Sequence, residues 1–108
     1  MTAEALTQLA QQAWNTDDEA LLAEIYEPDA VHYASFRDKT RTYQGIDAIS
    51  SVAMLRTSPI AQVGPLVEFE AADGELEWAS VNNFGGVCLF RARDGKIARH
   101  TCVMPMNG

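Results

Sequence analysis

The hydrophobic period of this chain changes near its middle, and that change limits the fold more than any other feature. In the first half apolar residues recur at helical spacing: Leu6, Leu9, Ala10, Ala13 and Trp14, then Leu21, Leu22, Ile25 and Tyr26, and later Ala48, Ile49, Val52, Ala53 and Leu55. Asn15 to Asp18 stop the first helix and cap the second, and Pro28 ends the second. Asp47 caps the third, with Pro59 just beyond its end. Between the second and third, Ala30 to Phe36 reads as a strand and Arg37 to Tyr43 as a charged connection. The second half has a period of two. Segments near 62–70, 75–84, 86–93 and 96–104 alternate apolar with polar residues around Ala-Asp-Gly, Phe-Gly-Gly and Arg-Asp-Gly-Lys turns. Helices followed by hairpins predict an α+β fold, with about three helices on one face of a curved antiparallel or mixed sheet.

A chain of 108 residues, 47% of them hydrophobic, can bury one core, so a single domain over residues 1–108 is expected. With 8 basic and 15 acidic residues the formal net charge is -7, which offers no basic stripe to a phosphate backbone or an anionic membrane surface. No nucleic acid and no membrane are expected as partners. The first residues, Met-Thr-Ala-Glu-Ala-Leu, lack the basic and apolar regions of a secretion signal, so the expected compartment is the cytoplasm. In that reducing setting Cys88 and Cys102 are expected to be free thiols.

Charges set the phase of each strand. Glu68 and Glu70 outward put Val67 and Phe69 inward, and Glu75 and Glu77 outward put Leu76, Trp78, Ser80 and Asn82 inward. Arg91 and Arg93 outward put Cys88, Phe90 and Ala92 inward, while Arg99 outward puts Ala98, His100, Cys102 and Met104 inward. A three-residue Asp94-Gly95-Lys96 loop would pair Ala92 with Ala98, Phe90 with His100 and Cys88 with Cys102. In the first strand Ala30, His32, Ala34 and Phe36 share a phase.

His32 and His100 are the only two histidines, and both take the inward phase, which no Asp or Glu shares. If the domain moves protons near neutral pH, imidazole is the side chain placed to do it, and His32 and His100 are the candidate catalytic pair. Burial without a partner charge should lower their pKa values. Trp14, Tyr33, Phe36, Tyr43, Trp78, Asn82, Cys88, Phe90, Cys102 and Met104 are the candidate substrate-binding residues, an apolar lining with a few polar groups. No metal is expected, because Cys-x-x-Cys knuckles and closely spaced histidine pairs are absent. Gly85-Gly86 lies between strands and not before a helix, so it is no phosphate loop.

Four segments carry a family resemblance: Trp14-Asn15-Thr16-Asp17, Leu22 to Val31, Tyr43-Gln44-Gly45-Ile46-Asp47-Ala48-Ile49 and Asp94-Gly95-Lys96-Ile97. Together they resemble the nuclear transport factor 2-like superfamily and, within it, the SnoaL-like polyketide cyclase group. The resemblance implies a cystatin-like cone in which helices and a concave sheet enclose a pocket for a small hydrophobic molecule. It also implies a homodimer through the outer sheet face and no cofactor. Where ketosteroid isomerases of this fold carry their base and oxyanion-hole residues, this chain has Ala34, Ala10 and Cys88; at the strand positions of limonene epoxide hydrolases it has His32 and Ala34. His32 to Lys39 is similar to scytalone dehydratase, with Trp14-Asn15 in place of that enzyme's Tyr-Asp pair. That similarity puts Tyr33 and Phe36 at the pocket, whereas the alternation puts His32 there. SnoaL-type cyclases use an acid/base residue late in the sheet, where His100 stands. The implied activity is cofactor-independent acid–base chemistry on a hydrophobic carbonyl or polyketide-like substrate, as cyclase, isomerase or dehydratase. The alternatives are a non-catalytic ligand-binding or dimerisation domain and, less favoured, an epoxide hydrolase.

Overall fold

In the computed structural model, which describes residues 1–36, 39–53 and 59–104, three helices pack on one face of a six-stranded sheet. Leu55, assigned above to the third helix, and the side chains of Phe36, Arg37, Asp38 and Ala53 lie outside the described residues. Helix α1 (Ala3–Asn15) starts at Thr2, whose hydroxyl accepts from the Ala5 amide at 3.1 Å. Helix α2 (Glu19–Ile25) starts at Asp18, whose carboxylate accepts from the Leu21 amide at 3.0 Å. Helix α3 (Ile46–Ala53) begins one residue before Asp47, which therefore lies in the first turn and not at the cap expected from the sequence. A carboxylate there still complements the helix dipole.

The strands are β1 (Tyr26–Phe36), β2 (Lys39–Gln44), β3 (Val67–Phe69), β4 (Glu75–Val81), β5 (Val87–Arg93) and β6 (Lys96–Val103), in the order β2-β1-β6-β5-β4-β3. Only β1 and β6 run parallel. Tyr26 belongs to β1 and not to α2. The β1–β6 register slips between Tyr26 and Val31, around Pro28, which cannot donate to a ladder. The charged connection after Phe36 proves to hold β2, an edge strand whose residues are nearly all exposed, so no apolar alternation announced it. At the other edge, Val67 and Phe69 are not inward: they are 49% and 51% exposed. Val67 pairs with Ala79 and Phe69 with Glu77, on the outer face, while Glu68 sits opposite Trp78. Charge sets strand phase only where one face is covered, and all three residues of β3 are exposed.

The last hairpin closes differently from expectation. Asp94 and Gly95 both have positive φ, 52° and 83°, and Arg93 pairs with Lys96, which is a two-residue turn of the mirror-image type. A bulge between Arg91 and Ala92 then resets the ladder, so that Ala92 pairs with Ile97 and Ala98 is the extra residue. Ile97 is buried in place of Ala98. Beyond the bulge, Phe90 pairs with His100 and Cys88 with Cys102, as expected.

The core lies between the helices and the inner sheet face, with Leu6, Leu22, Ile25, Tyr26, Ile49, Trp78 and Ile97 its largest apolar members. Trp78 donates its indole N–H to the Thr7 hydroxyl at 2.8 Å, and Thr7 donates in turn to the Ala3 carbonyl at 2.8 Å. The buried indole thereby keeps its hydrogen bond inside the core.

Candidate functional site

Strand register builds the site as two adjacent rows across the inner face. The first row runs Tyr43–His32–His100–Phe90–Trp78, each residue the cross-strand partner of the next. The second runs Ala34–Cys102–Cys88–Ser80. His32 and His100 are therefore direct neighbours, with ring centroids 4.7 Å apart and fractional exposures of 1% and 2%. Both sit on the inner face, as the alternation requires. Tyr33 falls on the other face, where it pairs with Thr42 and Thr101, and does not join the cluster.

Helix α1 covers the first row with Trp14. Its ring stacks on His100 at 5.0 Å and meets His32 edge-on at 5.1 Å. Phe90 also stacks on His100, at 4.0 Å, and Trp78 on Phe90, at 4.9 Å. Tyr43 lies against His32 at 6.0 Å. Tyr26 completes the surroundings of His100: its Oη is 3.0 Å from His100 Nδ1, while Nε2 lies 3.4 Å from Cys102 Sγ. The helical spacing of the sequence had absorbed Tyr26 into an apolar stripe, and a buried tyrosine before a strand was the one signal for it.

This enclosure sets the electrostatics. Burial pushes the His32 imidazole down to about 4, an effect partly offset by a contact with the His100 main chain. Burial also holds His100 well below the ordinary imidazole range, and the neighbouring His32 adds to the effect. The Tyr26 phenol is pushed up by burial. Both imidazoles are neutral at physiological pH, in the direction expected from the sequence. Among the described residues, two buried side-chain polar atoms have no partner, Trp14 Nε1 and His32 Nδ1.

A cavity of about 30 Å³ opens beside the second row, walled by Thr7, Ala10, Trp14, Ser80, Phe90 and His100. Asn82 and both cysteines also line it, with the half-buried Gln11 and Ile60. Asn82 holds the β4–β5 turn, its Oδ1 accepting from the Phe84 and Gly86 amides at 3.0 and 2.9 Å. Met104 is half-buried and ties to β1 through its amide, which donates to the Ser35 carbonyl at 2.9 Å. Cys88 and Cys102 are not free thiols: they form a disulfide across the β5–β6 pair, their Cα atoms 4.3 Å apart. The register that makes them direct neighbours brings the sulfurs together.

No family model and no curated protein matches the chain. Solved structures do. A nuclear transport factor 2-like protein of unknown function from Silicibacter pomeroyi is similar with a TM-score of 0.72 at 14% identity, covering 94% of this chain and 92% of that one. A domain of unknown function with a cystatin-like fold from Nostoc punctiforme gives 0.73 at 10% identity, over 98% and 80%. The orange carotenoid protein of Anabaena, binding canthaxanthin, gives 0.67 at 16% identity, over 95% of this chain and 36% of that one. Three helices on a six-stranded mixed sheet, with these neighbours, make this chain a protein of the nuclear transport factor 2-like, cystatin-like α+β fold.

Proposed function

We propose that this protein holds a small, largely apolar molecule bearing a hydrogen-bond acceptor, such as a carbonyl, between α1 and the inner face of the sheet. Trp14 carries the proposal: its buried indole N–H has no acceptor, on a ring that walls the cavity beside Phe90 and His100. An unpaired buried donor costs about 1–3 kcal/mol, and an oxygen on the guest would remove that cost. Ser80 and Asn82 line the same cavity as further polar groups, and Ala10, Phe90 and Ile60 suit an apolar body. The space is water-sized at about 30 Å³, so a larger guest enters as the half-buried Gln11 and Ile60 turn aside. The carotenoid-binding neighbour supports the reading by likeness of fold. Calorimetric titration with a panel of aromatic ketones tests it. At least one should bind, and Trp14→Phe should weaken it about tenfold, the worth of one hydrogen bond. Heat from no member of the panel, or unchanged affinity in Trp14→Phe, overturns the reading.

A second reading is proton transfer on a hydrophobic carbonyl or polyketide-like substrate, by a SnoaL-like cyclase, isomerase or dehydratase, with His100 and His32 as acid and base. The bond between Tyr26 Oη and His100 Nδ1 favours it, because an oriented imidazole is what a general base requires. Neutral, strongly depressed imidazoles are weak bases, which favours binding over catalysis. Under this reading His100→Gln and His32→Gln should each lose most turnover, since general acid–base catalysis contributes about 10²–10⁴-fold. For assembly the proposal is a homodimer through the outer sheet face, where Val87, Leu89 and Val103 are exposed.

A further inference from the structure

Among the described residues, one group of three possible metal ligands stands together: Cys88, His100 and Cys102, all buried, their ligand atoms within 4.8 Å of one another. The sequence spacing argued against a metal because it shows no knuckle motif. Hairpin register achieves the same juxtaposition by another route, setting Cys88 opposite Cys102 and placing His100 two residues away on the same face. We propose that, when the disulfide is reduced, Cys88, Cys102 and His100 Nε2 form a three-ligand site for a thiophilic d¹⁰ cation, with Zn²⁺ as the case to test.

The distances suit such an ion. Zn–S bonds of about 2.3 Å and Zn–N bonds of about 2.0 Å place tetrahedral ligand atoms roughly 3.5–3.8 Å apart. His100 Nε2 is already 3.4 Å from Cys102 Sγ. The two cysteines, opposite each other with Cα atoms 4.3 Å apart, reach the remaining edge by side-chain rotation once the S–S bond is broken. The outer contacts also fit. The His100 tautomer with its proton on Nδ1 donates to Tyr26 Oη at 3.0 Å and leaves the Nε2 lone pair facing Cys102, the arrangement that orients metal-bound imidazoles. The Asn82 amide nitrogen, 3.9 Å from Cys88 Sγ, points a donor at the second sulfur. The fourth position faces the cavity of about 30 Å³, room for a water.

Charge and electrons balance. A phosphine or dithiol reductant supplies two electrons, and with two protons the disulfide becomes two thiols. Zn²⁺ then displaces both thiol protons, so two thiolates and a neutral imidazole hold the dication in a centre of zero net charge. That neutrality is what a buried site in this apolar core requires.

The test uses the whole chain, reduced with a phosphine under anaerobic conditions and titrated with Co²⁺ as a spectroscopic stand-in. One equivalent should produce thiolate-to-metal charge-transfer absorption together with the visible bands of tetrahedral Co²⁺, and Zn²⁺ should bleach both. The oxidised protein should give neither. Cys88→Ser and Cys102→Ser should each abolish the charge-transfer signal or halve it with loss of stoichiometric binding, His100→Gln should weaken binding at least ~10-fold, and Lys96→Gln, at the hairpin turn, should leave it unchanged. Where a variant fails to fold, wild-type protein decides: Zn²⁺ should protect both cysteines from alkylation. Absence of charge-transfer absorption in reduced, folded protein, or full alkylation under excess Zn²⁺, overturns the site. Guest binding is measured on the oxidised protein, so it stands or falls separately.

Discussion

His32 and His100 give the molecule its most specific chemical behaviour at the scale of single residues. The rings packed against them include Trp14, Tyr26, Tyr43 and Phe90, Cys102 Sγ touches His100, and no carboxylate among the described residues opposes the desolvation. The sign of the consequence follows from linkage. An unfolded histidine titrates near 6.5, whereas folded His32 is pushed down to about 4, so between those values the unfolded chain takes up a proton that the folded one refuses. The stability contributed by neutral burial is complete above about pH 6.5 and is lost as pH falls toward 4. At about 1.4 kcal/mol per pKa unit, His32 alone accounts for on the order of 3 kcal/mol, and His100 acts in the same direction. Urea unfolding between about pH 7.5 and about pH 4.5 should show stability falling with acid, and His32→Gln should flatten the slope. A wild-type midpoint that does not move would contradict neutral burial.

Among the elements, the β5–β6 hairpin carries the most consequence, because its register decides which residues meet in both rows of the site. A two-residue turn alone would pair inner with outer residues; the bulge at Ala98 restores the phase, so Phe90 still meets His100. The test is at Asp94. Its φ of 52° is left-handed, a conformation that aspartate tolerates and alanine does not. Asp94→Ala should therefore cost about 1 kcal/mol in urea unfolding, whereas in a three-residue bulged loop the same change at that position would be close to neutral.

For the molecule as a whole, the helices cover one sheet face and leave the other bare. That bare face carries the exposed Val67, Phe69, Leu89 and Val103, with a groove of about 200 Å³ lined by Phe69, Glu77, Leu89, Arg91, Arg99 and Thr101. Apolar residues interspersed with charges of both signs can meet a second copy of themselves, as an isologous interface demands. Val81, the cross-strand partner of Val87, is half-buried. Light scattering at micromolar concentration should report twice the chain mass, and Leu89→Glu should return it to one; wild-type protein that scatters as a monomer removes the dimer. Among the described residues no helix is long and apolar enough to cross a membrane.

The layered α+β arrangement, the inward phase of β1, β4, β5 and, beyond its bulge, β6, and the pairing of Cys88 with Cys102 were all legible in the sequence, because each rests on a local period or a count along one ladder. Where neither face is covered, as in β2 and β3, periodicity carries no signal, and there the sequence reading missed one strand and inverted another. The site is a different matter. That His32 and His100 are neighbours depends on the parallel pairing of β1 with β6, and the contact from Tyr26 to His100 spans 74 residues. The burial of the Trp14 indole likewise depends on where α1 packs, whereas the disulfide and the three-ligand cluster lie within one hairpin and follow from its register. Patterns within a segment determine which face a side chain takes, but only packing decides which other segment supplies its neighbour.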